Sequence, residues 1–201
     1  MNNFPSPDWQ KNSDGLLPAI IQDANTGQVL MLGYMNEEAL RVTTKTGFVT
    51  FYSRSKKRLW KKGETSGNIL KFVSVADDCD NDALLIRAIP QGATCHTGNR
   101  SCFTSDESPV ETIGLLIETI RSRSEADSAN SYTKQLLEGG IEAYGAKVLE
   151  EAEEVVRAAR EEGKQRTVEE ATDLLYHLLV LLRGQNIELS DIAKELCRRR
   201  H

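Results

Sequence analysis

No run of this sequence is apolar for long enough to cross a bilayer: the longest, residues 174–182, is too short and is interrupted by His177. No export signal is expected in Met1-Asn2-Asn3-Phe4-Pro5-Ser6-Pro7, which offers neither a basic flank nor an apolar core. Positive charge is in deficit, with 25 Lys and Arg against 30 Asp and Glu and a net charge of -5. That balance argues against a general nucleic-acid or membrane-surface binder; anionic substrates would need metals or local basic residues to receive them. Aromatic residues are few, at 6%, and cysteines number four. The composition is otherwise that of an ordinary globular protein, and the expected compartment is the cytoplasm, where thiols bind metal or stay free more often than they pair. A chain of 201 residues can form one large domain or two small ones.

Three of the four cysteines lie close together. Asp78-Cys79-Asp80-Asn81-Asp82 opens a segment that closes with Cys95-His96-Thr97-Gly98-Asn99-Arg100-Ser101-Cys102-Phe103. If 78–82 is extended, Asp78, Asp80 and Asp82 project to one face and Cys79 to the other. Carboxylates suit Mg²⁺ or Ca²⁺, whereas Cys79, Cys95 and Cys102 together suit Zn²⁺. Three thiolates leave zinc one open position, at which a bound water becomes acidic near neutral pH. The Asp cluster alone also reads as a turn, and Cys95 with Cys102 as a disulfide in an oxidising compartment. Cys197 reads as an incidental thiol.

Upstream, residues 16–22 and 29–34 are apolar runs around an Asn25-Thr26-Gly27 turn, which suggests a hairpin. Asn36 is placed to cap a short helix through Lys45, with Gly47 beyond its end. Strands are expected at 48–52, 69–76 and 83–89, the last ending at Pro90. Residues 54–62 form a basic run containing Trp60, which alone reads as a solvated loop or a nucleic-acid contact. Followed by Gly63-Glu64-Thr65-Ser66-Gly67, it reads as the phosphate-facing edge of a small-molecule site, with a hydroxyl at Ser66 and Glu64 able to bond a sugar or base.

Trp60-Lys61-Lys62-Gly63-Glu64-Thr65-Ser66-Gly67-Asn68, the Asp-Cys-Asp-Asn-Asp segment and Cys95-His96-Thr97-Gly98 through Ser101-Cys102-Phe103 together resemble phosphoribosyl-AMP cyclohydrolase of histidine biosynthesis. The resemblance implies Mg²⁺ at Asp78, Asp80 and Asp82, and Zn²⁺ at Cys79, Cys95 and Cys102, in a homodimer whose zinc site is shared between subunits. It also implies hydrolysis of the N1–C6 bond of the substrate's purine ring by zinc-activated water; from the residues themselves, Trp60, Lys62 and Ser66 are candidates for binding that substrate, and Glu64 and His96 are the catalytic candidates. His96 is either a proton shuttle or a hydrogen-bonding support for the neighbouring ligand.

After Phe103 the composition changes. Residues 104–109 are polar and end in proline, a linker, and from Val110 onward the pattern is helical. Helices are expected at 111–123, at 131–138 with Ser131 as cap, at 141–161 after Gly139-Gly140, at 167–183, and from a Ser190 cap into the terminal arginines, which complement a helix C-terminus. Lys147 with Glu151, and Glu153 with Arg157, have the spacing of ordinary i,i+4 pairs. Asp173 starts an almost wholly apolar helical stretch and is expected to be buried. Glu151 and Glu154 share one helical face, as do Glu170 and Asp173, so two packed helices would converge four carboxylates on Mg²⁺.

Glu-Glu-x-x-Glu followed by Glu-x-x-Asp resembles phosphoribosyl-ATP pyrophosphohydrolase and the wider all-α, MazG-like nucleoside triphosphate pyrophosphohydrolases. Glu150, Glu151, Glu154, Glu170 and Asp173 match the metal positions, and Lys147 is a candidate for holding a phosphate. The expectation is therefore an α+β multidomain chain: a β-rich cyclohydrolase domain at 1–109, including the linker, then an all-α pyrophosphohydrolase domain at 110–201. The substrates implied are phosphoribosyl-ATP and phosphoribosyl-AMP, with no nucleic acid and no membrane as partners. The rivals are a sanitiser of noncanonical nucleotides and a non-catalytic zinc module binding nucleic acid through residues 56–62.

Overall fold

The computed structural model describes residues 5–103, 108–125 and 131–200, so residues 104–107 of the expected linker and His201 lie outside the described residues. The chain divides into two compact units, Met1–Gly114 and Leu115–His201. No helix among the described residues is long and apolar enough to cross a membrane.

In the first unit the expected hairpin forms from β1 (Leu17–Asp23) and β2 (Val29–Met35), paired antiparallel. Asn36 caps α1 (Glu37–Thr46) by accepting from the Ala39 amide, and Gly47, at φ 75°, closes it in the left-handed region that glycine adopts without strain. The main sheet is completed by β5 (Ile69–Asp77) and β6 (Leu84–Gln91), in the order β2-β1-β6-β5, with β6 parallel to β1. Strict alternation along β1 buries Leu17, Ala19 and Ile21 against Leu30, Met35, Leu84, Ile86 and α1. The same alternation buries Asp23, whose carboxylate accepts from the Asn25 and Thr26 amides and from Arg100 Nη2 at 2.5 Å.

Three expectations are corrected here. The basic run at 54–62 is not a loop throughout: Arg58–Lys61 is strand β4, paired with β3 (Thr50–Ser53). Leu59 and Trp60 are half-buried against the core while Arg58 and Lys61 face water, so the charges lie on the open positions of a hairpin. Pro90 does not end β6 but pairs opposite Leu70, beyond Ala88, the last residue of β6 paired with β1. There the ladder has a partner on one side only, and a missing N–H is tolerated. Asp78 to Asp82 is a turn rather than an extended segment: Asn81 has φ 61°, and Asp78 Oδ1 accepts from the amides of Asp82 and Ala83.

The helices are α2 (Pro109–Glu125), α3 (Tyr132–Glu138), α4 (Gly140–Glu161), α5 (Lys164–Gly184) and α6 (Leu189–Arg199). Ile120, Leu136, Tyr144, Leu179 and Val180 form the core of the second unit. Ser131 caps α3 as expected. Glu188, not Ser190, caps α6, because Glu188 and Asp191 bond each other's backbone amides in a reciprocal box. Arg157 pairs with Glu154 and Glu162, not Glu153.

One close approach sets a limit on the first unit: a β-carbon at Gly33 would lie 2.4 Å from two ring carbons of the buried Phe51. Gly33→Ala is therefore expected to destabilise the protein by about 1–3 kcal/mol through overpacking. Denaturant unfolding followed by the fluorescence of Trp60, which stacks on Phe51, measures this; an unchanged midpoint would contradict it.

Candidate functional sites

Within the first unit, one cleft of about 460 Å³ is lined by Trp60, Lys62, Gly63, Glu64, Ser66, Cys95, His96 and Cys102. Two sequence segments thus meet: the β4 end with its glycine turn, and the loop after β6. That loop is braced within itself and anchored to the sheet at its C-terminal end. The Cys95 amide bonds Asn99 O, the Cys102 amide bonds Leu30 O, and Ser101 Oγ donates to Val29 O, while Arg100 reaches the buried Asp23.

The chemistry of the cleft is that of paired thiols beside a cation. Cys95 and Cys102 both line the cleft, and each influences the ionisation of the other. The Thr97 hydroxyl, donating to Cys95 Sγ at 3.1 Å, holds the Cys95 thiol below its ordinary range, while partial burial pushes Cys102 up. Cys95 is accordingly the first of the pair to become a thiolate, the form that binds metal. Lys62 is 7% exposed, its Nζ donates to Asn68 O, and burial lowers its pKa. His96 is exposed, with Nδ1 3.9 Å from Cys95 Sγ. Glu64 is engaged by Arg58 at 2.5 Å, whose guanidinium holds the carboxyl below its usual range.

Cys79 is not among the lining residues of the cleft; it is exposed, 3.9 Å from Asp80 Oδ1. The turn nevertheless brings Asp78, Asp80 and Asp82 together, each with an oxygen within 4.8 Å of the others. Convergence comes from the turn, not from strand alternation. Lys11, which no motif singled out, sits on this trio, with Nζ 2.5 Å from Asp80 Oδ2 and 3.1 Å from Asp82 Oδ2, and its pKa is pushed up to about 12 by these bonds. Thr94 was also missed: it lines the cleft, is buried, and its hydroxyl has no partner among the described residues. Its position directly before Cys95 is the only signal it carries.

In the second unit α4 and α5 bring Glu151, Glu154 and Glu170 within 4.8 Å of one another. Glu170 is 1% exposed, and burial pushes its carboxyl up against the pull of Arg166, with which it pairs. Lys147 bonds Glu150 at 2.8 Å and Glu151 at 3.1 Å. Asp173 is exposed and Glu150 is turned to Lys147, so neither joins the cluster. The expectation of a buried Asp173 is corrected: His177, Leu179 and Val180 are buried, whereas Asp173 is exposed although it shares a helical face with the buried Glu170 and His177.

Residues 31–104 match the phosphoribosyl-AMP cyclohydrolase family, and residues 114–200 the phosphoribosyl-ATP pyrophosphohydrolase family. The chain is similar to the histidine biosynthesis bifunctional protein HisIE of Yersinia pestis, 50% identical over 194 residues covering 96% of this chain and 94% of that protein. The HisIE proteins of Shewanella oneidensis (48% over 198 residues, 98% and 93% of the two chains) and Escherichia coli K12 (48% over 194 residues, 96% and 95%) are comparably similar. With both families matched in the same order and identity near one half across almost the whole length, the chain belongs to the family of bifunctional histidine-biosynthesis hydrolases.

Proposed function

We propose that the helical unit cleaves phosphoribosyl-ATP to phosphoribosyl-AMP and pyrophosphate, and that the β-rich unit then opens the purine ring of phosphoribosyl-AMP at the N1–C6 bond. The observation that carries the reading is the single cleft in which Trp60, Lys62, Glu64, Ser66, Cys95, His96 and Cys102 meet. Its volume suits a nucleotide-sized ligand.

Cys95 and Cys102 fit Zn²⁺, because both sulfurs line one cleft and the Cys95 thiol is held below its ordinary range by the Thr97 hydroxyl. Cys79, which does not line the cleft, would come from a second copy, and the active cyclohydrolase would then be a homodimer. Zinc supplies a Lewis acid that makes a water nucleophilic at neutral pH. Around it, the Trp60 ring offers a face to the purine and Lys62 a charge to a phosphate, while Ser66 and the backbone beside Gly63 approach the remaining oxygens. His96 has Nδ1 turned to Cys95 and so takes or returns the reaction proton at Nε2. Glu64, held ionised by Arg58, anchors the rim of the cleft.

In the helical unit Glu151, Glu154 and Glu170 would hold Mg²⁺, with Glu150 and Asp173 reaching it after side-chain rotation. The ion supplies charge neutralisation for the triphosphate as a water attacks between the α and β phosphates. Lys147, held at Glu150 and Glu151, contributes a cation at the same edge. The two functions divide at residues 104–109. The biosynthetic family and four free thiols support a cytoplasmic location.

Cys95→Ala is expected to lower ring opening by roughly 100-fold or more while sparing pyrophosphate release, and Glu151→Gln to do the reverse. Separate assays of pyrophosphate and of the ring-opened product decide it; loss of both activities in either folded variant would sink the two-site reading. Mg²⁺ entering the Asp78–Asp80–Asp82 trio must displace Lys11. Lys11→Met should therefore bind Mn²⁺, read by its paramagnetic resonance signal, roughly two- to fivefold more tightly than the parent chain. Equal affinity would mean that the cation does not bind there.

A further inference from the structure

After Phe103 the sequence contains no Trp and no Phe, and only three tyrosines: Tyr132, Tyr144 and Tyr176. The helical unit therefore has few flat faces to offer a nucleobase. Tyr144 is committed to the core, 4% exposed, with its hydroxyl accepting from Gln185 Nε2 at 2.6 Å and its ring against Gly184. Tyr176 is half-buried and fixed by a 2.8 Å bond between its hydroxyl and that of the fully buried Thr133. Tyr132 is different: its ring lies nearly parallel to that of Tyr176, at 16° and 6.5 Å between centroids, yet the residue is 51% exposed.

These rings connect directly to the carboxylate cluster. His177 stands edge-on to both tyrosines, 6.0 Å from Tyr132 and 5.1 Å from Tyr176, and its Nε2 is 3.6 Å from Glu151 Oε1. His177 is buried, and its Nδ1 has no hydrogen-bond partner among the described residues, so the surrounding rings and Glu151 fix its plane. A ledge of π-faces thus starts at the carboxylates and ends at an open ring. A nucleotide whose phosphates are held at this cluster through a cation can extend its base along that ledge, and stacking is the interaction every purine face can make.

We propose that the adenine ring of the helical unit's substrate stacks on Tyr132, backed by Tyr176 and His177, and that this ledge makes the unit prefer a nucleotide to a bare polyphosphate. The proposal rests on the assignment of pyrophosphate release to this unit. Tyr132 contributes the face, Thr133 fixes the ring behind it, and His177 sets the ledge beside Glu151.

The test is made on the full chain with Mg²⁺, following pyrophosphate release from phosphoribosyl-ATP, with inorganic tripolyphosphate as a competitor that has the phosphates and no base. In Tyr132→Ala, KM is expected to rise roughly tenfold with kcat changed less than about twofold, and the inhibition constant of tripolyphosphate to stay at its wild-type value. Tyr132→Leu, which keeps apolar bulk but no flat ring, should match the alanine variant, and Tyr132→Phe should restore KM to within about threefold. An unchanged KM in the alanine and leucine variants overturns the proposal. So does parallel weakening of tripolyphosphate, which would place the effect at the phosphate end, or a phenylalanine variant as impaired as alanine, which would assign the effect to the hydroxyl. A wild-type chain that opens phosphoribosyl-AMP but releases no pyrophosphate would remove the assignment of the unit, and the proposal with it; that outcome is distinct from all the others.

Discussion

Like charges held together must be balanced, and this chain does it twice. Each unit holds three carboxylates with oxygens within 4.8 Å of one another. In the β-rich unit the trio is solvent-facing, so water screens much of the repulsion; backbone amides fix Asp78, and Lys11 supplies a counter-charge. In the helical unit Glu151 and Glu170 are buried, screening is weak, and the balance falls on Lys147 and Arg166. Burial still pushes the Glu170 carboxyl up, so these cations do not fully offset it.

The thiol cleft is governed by a different constraint. Its cysteines sit on a loop with no regular structure of its own, and such a loop keeps its shape only by borrowing partners from the sheet. The buried ion pair of Asp23 with Arg100 is the strongest of these, because Asp23 lies on the core face of β1 and its charge needs a partner there. Cys95 and Cys102 flank Arg100, so a core electrostatic contact sets the position of a surface pair of sulfurs.

What could be read from the residues was whatever rests on local periodicity and capping. The β1–β2 hairpin, the Asn36 and Gly47 ends of α1 and the Ser131 cap each need only neighbours a few residues apart. Elements decided at long range were misread. β4 looks like a basic loop because its charges are read before Phe51, on the facing strand, shows why Trp60 turns inward. The apolar residues that follow Asp173 suggest a helix buried all round, but Asp173 is exposed although Glu170 and His177, on the same face of α5, are buried, so local spacing does not set its burial. The site motifs identified the lining of the cleft, yet neither Lys11 nor the separation of Cys79 from the other thiols is encoded in any local spacing.

The cysteine loop has a second role that follows from where it attaches. β2 is an outer strand of its sheet, and the loop bonds the carbonyls of Val29 and Leu30 through Ser101 and Cys102. Unpaired strand borders are where foreign chains add on and aggregation starts. The loop that carries the two cleft cysteines therefore also covers part of that border, and a change that loosened Ser101 or Cys102 would uncover it.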